Sequence, residues 1–297
     1  MKPRAASDSR TGACKMADGQ IVEALEAALP AIIMDARRAA SSLVMGEHGK
    51  RRAGQGDGFW QHREWSNGES IRQIDWRRSA RSDKVFVAER ERQVPALLQV
   101  WCDGRAGMNW RSDAQFPTKA QRGLIMGLAL SIAARAGGER VCALGLGTPL
   151  SQEMQFARLL LEAGQDAPIQ FQAGQVLMFS DGLEAPAIWA ARAQQISSAR
   201  AQLIVVMIAD RAEQDFPYQG RVSFTSSQGD EPLIIGRAQS ARSDYVAAYC
   251  AHLAQVKQAI IGAGGQVFDH CTRDASMPTL LRLAAALDGA APRSSAA

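Results

Sequence analysis

The stretch QLIVVMIAD, from Gln202 to Asp210, limits the possible folds of this chain more than any other part of the sequence. Nothing polar interrupts the run from Leu203 to Ala209, and such continuous apolar strands are typically buried on both faces. Strands buried on both faces occur almost only in parallel sheets that helices cover. The sequence therefore predicts an α/β protein.

Helical and strand-like segments alternate along the middle of the chain. Strands are predicted at 96–102, 141–146, 175–179 and 202–209, and the helices between them at 118–136, 152–162 and 186–198. This alternation is typical of βαβ units, which build a parallel sheet with helices on both faces. Further along, the sequence predicts a β-hairpin at 220–236, a helix at 242–262, a last strand at 264–272 and a last helix at 277–287.

The N-terminal part of the chain has a different character. Residues 21 to about 45 predict one helix, because apolar residues recur there at close to helical spacing, and Pro30 is expected to kink or split it. Residues 59–93 mix aromatic and charged residues and end in a predicted strand. We therefore predict tails at 1–20 and 289–297, an N-terminal helix with a small β-rich segment at 21–93, and an α/β domain at 94–288.

The composition is that of an ordinary folded protein, with 46% hydrophobic and 22% charged residues. The net charge of +4 is only mildly basic and does not by itself indicate a nucleic-acid partner. No apolar stretch is long enough to span a bilayer, and the N-terminus lacks the apolar core of a signal peptide. Five scattered cysteines without a CxxC pair indicate free thiols in a reducing compartment, so we expect a cytoplasmic protein.

Three of the predicted strands end in an acidic residue, namely Asp103, Asp181 and Asp210. Ligands of open parallel sheets bind outside the carboxyl ends of the strands. If their strands are neighbours, Asp103 and Asp181 lie close together and form the main candidate constellation. The alternative is that each aspartate caps the following turn or helix.

Other catalytic patterns are missing from the sequence. The four histidines lack the spacing of a metal site, no serine stands in a G-x-S-x-G frame, and there is no GxxxxGK[ST] phosphate-binding loop. We therefore predict no catalytic residue, no bound metal and no cofactor.

A motif of glycine, aromatic and charged residues runs from Gly56 to Arg81. Its positions are Gly56, Gly58, Phe59, Arg63, Glu64, Trp65, Gly68, Glu69, Arg72, Ile74, Asp75, Trp76, Ala80 and Arg81. These positions resemble the signature of the family called domain of unknown function 58 (DUF58), and the resemblance covers about residues 20–288. It implies a von Willebrand factor A-like fold and a role as an adaptor or assembly factor that works with a MoxR-type AAA+ ATPase. It implies no enzymatic activity.

In von Willebrand A domains the first strand ends in Asp-x-Ser-x-Ser, and these side chains hold a divalent cation with support from a later aspartate. By this resemblance Asp103 matches the first aspartate and Asp181 the later one, whereas Arg105 and Gly107 replace the two serines. The resemblance therefore implies a degenerate metal site. One hypothesis is that the Arg105 guanidinium bridges Asp103 and Asp181 in place of the ion. The alternative is that Arg105 points into solvent.

The aromatic and charged motif admits more than one role. Its candidate residues are Arg63, Glu64, Trp65, Gly68, Glu69, Arg72, Asp75, Trp76 and Arg81. Trp and Arg side chains together can stack on nucleic acid, but the interleaved acids favour an internal ion-pair lattice or a partner-docking surface. We expect a non-enzymatic adaptor with no nucleic-acid partner. The alternatives are a metal-dependent hydrolase using Asp103 and Asp181, and a nucleic-acid-binding protein using the Trp/Arg segment.

Overall fold

The computed structural model describes residues 18–46, 59–64, 79–80, 85–90, 97–145, 152–165, 170–225 and 232–289. The chain forms two compact units. The larger comprises Met1–Met45 with Ala96–Ala297, and the smaller comprises Gly46–Pro95. The sequence prediction groups the N-terminal helix with the motif segment, whereas this division groups the helix with the sheet.

The helices and strands follow the predicted alternation. In chain order the helices are α1 (Asp18–Gly46), α2 (Lys119–Ala136), α3 (Glu153–Gln165), α4 (Pro186–Ser198), α5 (Arg211–Asp215), α6 (Arg242–Gly262) and α7 (Ser276–Gly289). The strands are β1 (Phe59–Glu64), β2 (Phe86–Arg90), β3 (Leu97–Cys102), β4 (Arg140–Ala143), β5 (Gly174–Ser180), β6 (Ala201–Ala209), β7 (Val222–Phe224), β8 (Leu233–Ile235) and β9 (Gln266–Cys271). Short 3-10 helices span Ala106–Asn109 and Ala238–Ala241.

The larger unit contains a five-stranded sheet in the order β4-β3-β5-β6-β9. All four neighbouring pairs are parallel, and Val100 of β3, for example, pairs with Ala143 on one side and Leu177 on the other. The predicted fold class, an α/β protein with a parallel sheet, is therefore confirmed.

The side chains of β6 alternate between two cores, because successive residues of a strand point to opposite faces. Ile204 and Val206 belong to a core shared with α1, α2, α3 and α7. Val205 and Met207 belong to a second core shared with α4 and α6. The strand is thus buried on both faces, as its continuous apolar run predicts, and each fully buried aliphatic side chain contributes about 1.5–3 kcal/mol.

Helix α1 presents one apolar face to the sheet unit. Leu25, Leu29, Ile32 and Leu43 are buried there at helical spacing. The helix continues through Pro30, which lies on its exposed side. The sequence predicts a kink or split at Pro30, and the split is wrong, since the buried residues on both sides of the proline keep the two halves in one helix. Among the helices that the structure describes, none is both long and apolar enough to cross a membrane.

Two small antiparallel pairs complete the description. The hairpin predicted at 220–236 is present as β7 paired with β8, with Val222 opposite Ile235. In the smaller unit β1 pairs with β2, with Glu64 opposite Phe86. Of the motif residues, Arg63 and Glu64 lie in β1. The remaining candidates Trp65, Gly68, Glu69, Arg72, Asp75, Trp76 and Arg81 lie outside the described residues.

Candidate functional site

The strand order creates a crevice between β3 and β5. The chain leaves β3 to form β4 on one side and then returns to the other side of β3 to form β5. The loops that follow β3 and β5 therefore lead in opposite directions along the sheet. Asp103 follows β3 and Asp181 follows β5, and both residues are buried, at 1% and 8% exposed. The hydroxyl of Ser180 donates to Oδ2 of Asp103 at 2.8 Å, which links the two strand ends directly.

The carboxylate of Asp103 is held by Arg105. The Arg105 side chain donates from Nε to Oδ1 at 2.8 Å and from Nη2 to Oδ2, while its backbone N–H donates to Oδ1 at 3.1 Å. This bidentate geometry is the strong form of an arginine–carboxylate pair. The alternative that Arg105 points freely into solvent is therefore wrong, although 37% of its side chain remains exposed.

The second carboxylate on Arg105 is Glu184, not Asp181. Nη1 of Arg105 lies 2.6 Å from Oε1 of Glu184, and Arg192 donates from Nη1 to Oε2 of Glu184 at 2.8 Å. The predicted bridge between Asp103 and Asp181 is thus wrong in its second partner, because the loop after β5 brings Glu184 within reach. Burial raises the pKa of Glu184, but Arg192 and Arg105 outweigh that effect and leave the pKa lowered.

Arg192 is a buried cation, at 4% exposed. Its guanidinium carbon lies 4.8 Å from the ring centroid of Trp189 and 5.8 Å from that of Trp101. Both aromatic faces favour a cation at this distance. The side chain therefore combines an ion pair to Glu184 with two aromatic contacts, which fixes the loop that carries Glu184.

Asp181 is paired with Lys119, a fully buried cation. Nζ of Lys119 lies 3.1 Å from Oδ2 of Asp181 and 2.5 Å from Oε1 of Glu213. Lys119 is the first residue of α2, and a capping box between Thr118 and Gln121 fixes that helix end. Burial lowers the pKa of Lys119, but the two carboxylates outweigh it and leave the pKa raised. Lys119 is therefore held as a cation.

Asp210 caps the short helix α5. It accepts from the backbone N–H of Ala212 at 2.9 Å and from Ser112, whose N–H and hydroxyl donate at 3.0 and 2.5 Å. Glu213 accepts the backbone N–H of Asp210 in return, at 2.9 Å. The capping interpretation of the strand-end acids is thus confirmed for Asp210. The other two also accept a backbone N–H two residues further on.

The backbone packs closely where Gly164 of α3 meets the end of β3. Gly104 donates its N–H to the carbonyl of Gly164 in α3 at 3.0 Å. A methyl group added to Gly164 would lie only 2.2 Å from the carbonyl oxygen of Cys102, so nothing larger than hydrogen fits. At Gly107 an added methyl group would lie 3.4 Å from Oδ2 of Asp181, which is an ordinary contact distance.

A family model described as "Protein of unknown function DUF58" matches residues 61–255, which is more than half of the chain. The chain belongs to the DUF58 family. The matched range includes Asp103, Asp181 and Asp210, together with Arg105 and Lys119, which pair with the first two. A search of curated proteins finds no match to this chain.

The crevice of this DUF58 chain does not fit a divalent cation of the kind expected in a von Willebrand A domain. Arg105 and Lys119 already occupy the carboxylates of Asp103 and Asp181, and neither Arg105 nor Gly107 has a hydroxyl to offer. Within the described ranges, no group of three or more His, Cys, Asp or Glu side chains is arranged to hold a metal. A metal would have to displace both Arg105 and the buried Lys119 to bind here.

Sequence reasoning did not find several residues of this DUF58 site. They are Ser112, Lys119, Glu184, Arg192 and Glu213. The capping pattern from Thr118 to Gln121 is a readable signal that starts a helix, but it does not reveal the partners of Lys119. Those partners come from the ends of β5 and β6, which only the sheet order brings together.

Proposed function

We propose that this DUF58 chain is a non-enzymatic interaction module. The observation that carries the proposal is the internal pairing of the crevice: Asp103 is bound by Arg105, and Asp181 by Lys119. A hydrolase at this position would need an open metal coordination site or a carboxylate that is free to exchange a proton. Buried carboxylates that side-chain cations of the same chain already neutralise favour a binding role instead.

The proposed partner is a MoxR-type AAA+ ATPase, with the chain acting as an adaptor in protein maturation or assembly. This partner is supported by the family resemblance and by no contact within the chain itself. The scattered free thiols support a reducing compartment, so the proposal takes the complex to be cytoplasmic.

The mouth of the crevice offers a docking surface for such a partner. Leu183 and Ile188 flank Glu184 and are 45% and 46% exposed, which is high for large apolar side chains. Exposed apolar residues beside paired charges are typical of protein-binding patches. We propose that these two side chains contact the ATPase while the ion pairs beneath them keep the loop in shape.

The test is a pull-down of the ATPase by this chain, with and without ATP. The double variant Leu183→Ser/Ile188→Ser is expected to weaken capture at least about fivefold, because an interface residue that matters contributes about 1 kcal/mol or more. Ile261→Ser is the matched control, since Ile261 is 58% exposed at the far end of α6. Capture no greater than that of empty beads would contradict the proposal. So would capture that the double variant leaves unchanged.

A second measurement addresses the hydrolase alternative. Mass spectrometry of the purified protein is expected to find no stoichiometric divalent metal, and Mg²⁺, Mn²⁺ or EDTA is expected to leave the melting temperature unchanged. A tightly held ion, or substrate turnover that Asp103→Asn abolishes, would contradict the adaptor proposal. A salt-dependent mobility shift with nucleic acid would instead support the Trp/Arg segment as a nucleic-acid surface.

A further inference from the structure

Three buried polar atoms without a hydrogen-bond partner cluster at the carboxyl end of β9. In the described part of the chain, four buried side-chain atoms lack a partner, and three of them are Arg122 Nε, His270 Nε2 and Thr272 Oγ1. His270 is 4% exposed and Thr272 is fully buried. Buried polar groups that remain unpaired are costly, so their concentration in one place indicates a missing ligand.

These groups converge on the first turn of α7. Nη2 of Arg122 donates to the Thr272 carbonyl at 2.7 Å, and Nη1 donates to the hydroxyl of Ser276, the first residue of α7, at 3.4 Å. Nδ1 of His270 lies 3.1 Å from the hydroxyl of Thr279, one turn further along α7. The Arg122 guanidinium and the His270 ring are therefore both anchored to the same helix end.

His270 lies near the end of β9, and Thr272 is the first residue after that strand. The N–H of Thr272 donates to the Ala209 carbonyl at 3.0 Å, so the ladder between β6 and β9 continues through Thr272. The His270 side chain faces α7, and the Thr272 carbonyl accepts from Arg122, so both residues lie beside the same helix end.

Arg122 also lacks an anion. No carboxylate lies within 4.0 Å of its guanidinium among the described residues, whereas Arg105, Lys119 and Arg192 each have at least one. Burial lowers the pKa of Arg122, and the acids that act on it from a distance, Asp274 and Asp35, are both exposed. A half-buried guanidinium with an unpaired Nε favours an anionic ligand.

The hydrogen-bonding character of the cluster is that of a donor set. Burial lowers the pKa of His270 to about 4, so the ring is neutral at pH 7. If Nδ1 accepts the hydroxyl of Thr279, then Nε2 carries the proton and donates. Arg122 Nε, His270 Nε2 and the Thr272 hydroxyl are then each available as donors. The N-terminus of α7, which Arg122 and His270 both contact, adds favourable potential for negative charge.

We propose that Arg122, His270, Thr272 and Ser276 form a binding site for a small oxyanion, either a free phosphate or a carboxylate group. The site uses none of the groups that bind Asp103 and Asp181. It is therefore independent of the adaptor proposal, and either one can fail without the other.

Calorimetric titration of the purified chain with inorganic phosphate, and separately with acetate, tests this site. We expect saturable binding of at least one anion, weakened about tenfold or more by Arg122→Gln because a hydrogen bond to a charged group contributes about 1.5–3 kcal/mol. Thr272→Val keeps the shape of the side chain, removes one donor and is expected to weaken binding about threefold to tenfold. The control Arg158→Gln, at an exposed position of α3, is expected to bind like the wild type.

The same titrations can also show that the proposed anion site does not exist. If neither anion binds saturably, or if Thr272→Val and Arg158→Gln both bind like the wild type, the site does not exist. Thr272→Val keeps this test decisive even if Arg122→Gln fails to fold. A crystal grown with phosphate is expected to show tetrahedral density against Thr272 and Ser276. A single water molecule there in the presence of phosphate would overturn the proposal.

Discussion

Two clusters of charged side chains lie at the crevice, and they neutralise buried carboxylates in different ways. One is the arginine cluster (Asp103, Arg105, Glu184 and Arg192), and the other is the lysine cluster (Lys119, Asp181 and Glu213). Both neutralise a buried strand-end aspartate with a cation. The central cation of the arginine cluster is two residues from its aspartate and is partly exposed, whereas Lys119 is fully buried.

The difference shows what each cluster contributes to the fold. The pair between Asp103 and Arg105 is local, because both residues lie in one loop, and Arg105 reaches a second loop only through Glu184. Lys119 instead joins the start of α2 to the ends of β5 and β6 through Asp181 and Glu213. A buried cation that ties three elements together is expected to matter more for stability than a local, half-exposed one.

The largest expected effect is that of Lys119→Met. This change leaves Asp181 and Glu213 buried without their cation, so the free energy of unfolding is expected to fall by about 3–5 kcal/mol. Urea unfolding followed by circular dichroism measures it. Lys257→Met is the matched control, because Lys257 pairs with Asp269, whose side chain is 64% exposed, and such a pair contributes about 0–1 kcal/mol. Equal losses in the two variants would show that Lys119 contributes no more to stability than an exposed ion pair does.

Next in size is Gly164→Ala, which tests the backbone support of the arginine cluster. The added methyl group would meet the Cys102 carbonyl oxygen at 2.2 Å, so the loop that leads to Asp103 has to move. We expect a loss of about 1–3 kcal/mol in the same unfolding experiment. Gly262→Ala serves as the control, since no atom lies within 4 Å of its added methyl group. A wild-type stability for Gly164→Ala would mean that the loop tolerates displacement.

Arg105→Ala is expected to have a smaller effect than Lys119→Met. Asp103 keeps its hydrogen bonds from Ser180 and from the backbone N–H of residue 105, and Arg192 still neutralises Glu184. The expected loss is about 1–2 kcal/mol, because the hydrogen bonds are to charged groups but solvent reaches the guanidinium. A loss as large as that of Lys119→Met would contradict the expectation that the lysine cluster contributes more to stability than the arginine cluster.

The smallest effect is expected in the pH dependence of the arginine cluster. The folded-state pKa of Glu184 lies below its ordinary value of 4.5, so the unfolded chain takes up the proton first as the pH falls. Stability from Glu184 is therefore fully present above pH 4.5 and is lost as the pH falls through the folded pKa. Glu184→Gln is expected to give a shallower loss of stability on acidification than the wild type. Parallel acid-unfolding profiles for the two proteins would show that Glu184 contributes nothing.

The strands and helices of the larger unit could be predicted well from the sequence, because a strand that is buried on both faces consists of consecutive apolar residues. The apolar run of β6 and the alternation of elements identify the parallel sheet without further help. Pro30 does not split α1, because a proline on the exposed side of the helix removes one hydrogen bond while the buried face still holds the helix together. For the site, the sequence identified the strand-end acids but not the cations and acids from distant segments.

What the sequence alone determined is therefore the sheet, the positions of Asp103 and Asp181 at its carboxyl edge, and the presence of Arg105 within reach of Asp103. Periodicity and short-range spacing are enough for these, since they depend on residues close together in the chain. Only the tertiary structure decided that Glu184 is the second partner of Arg105 and that Lys119 pairs with Asp181. Those choices depend on the strand order β4-β3-β5-β6-β9, which brings side chains from distant parts of the chain within hydrogen-bonding distance.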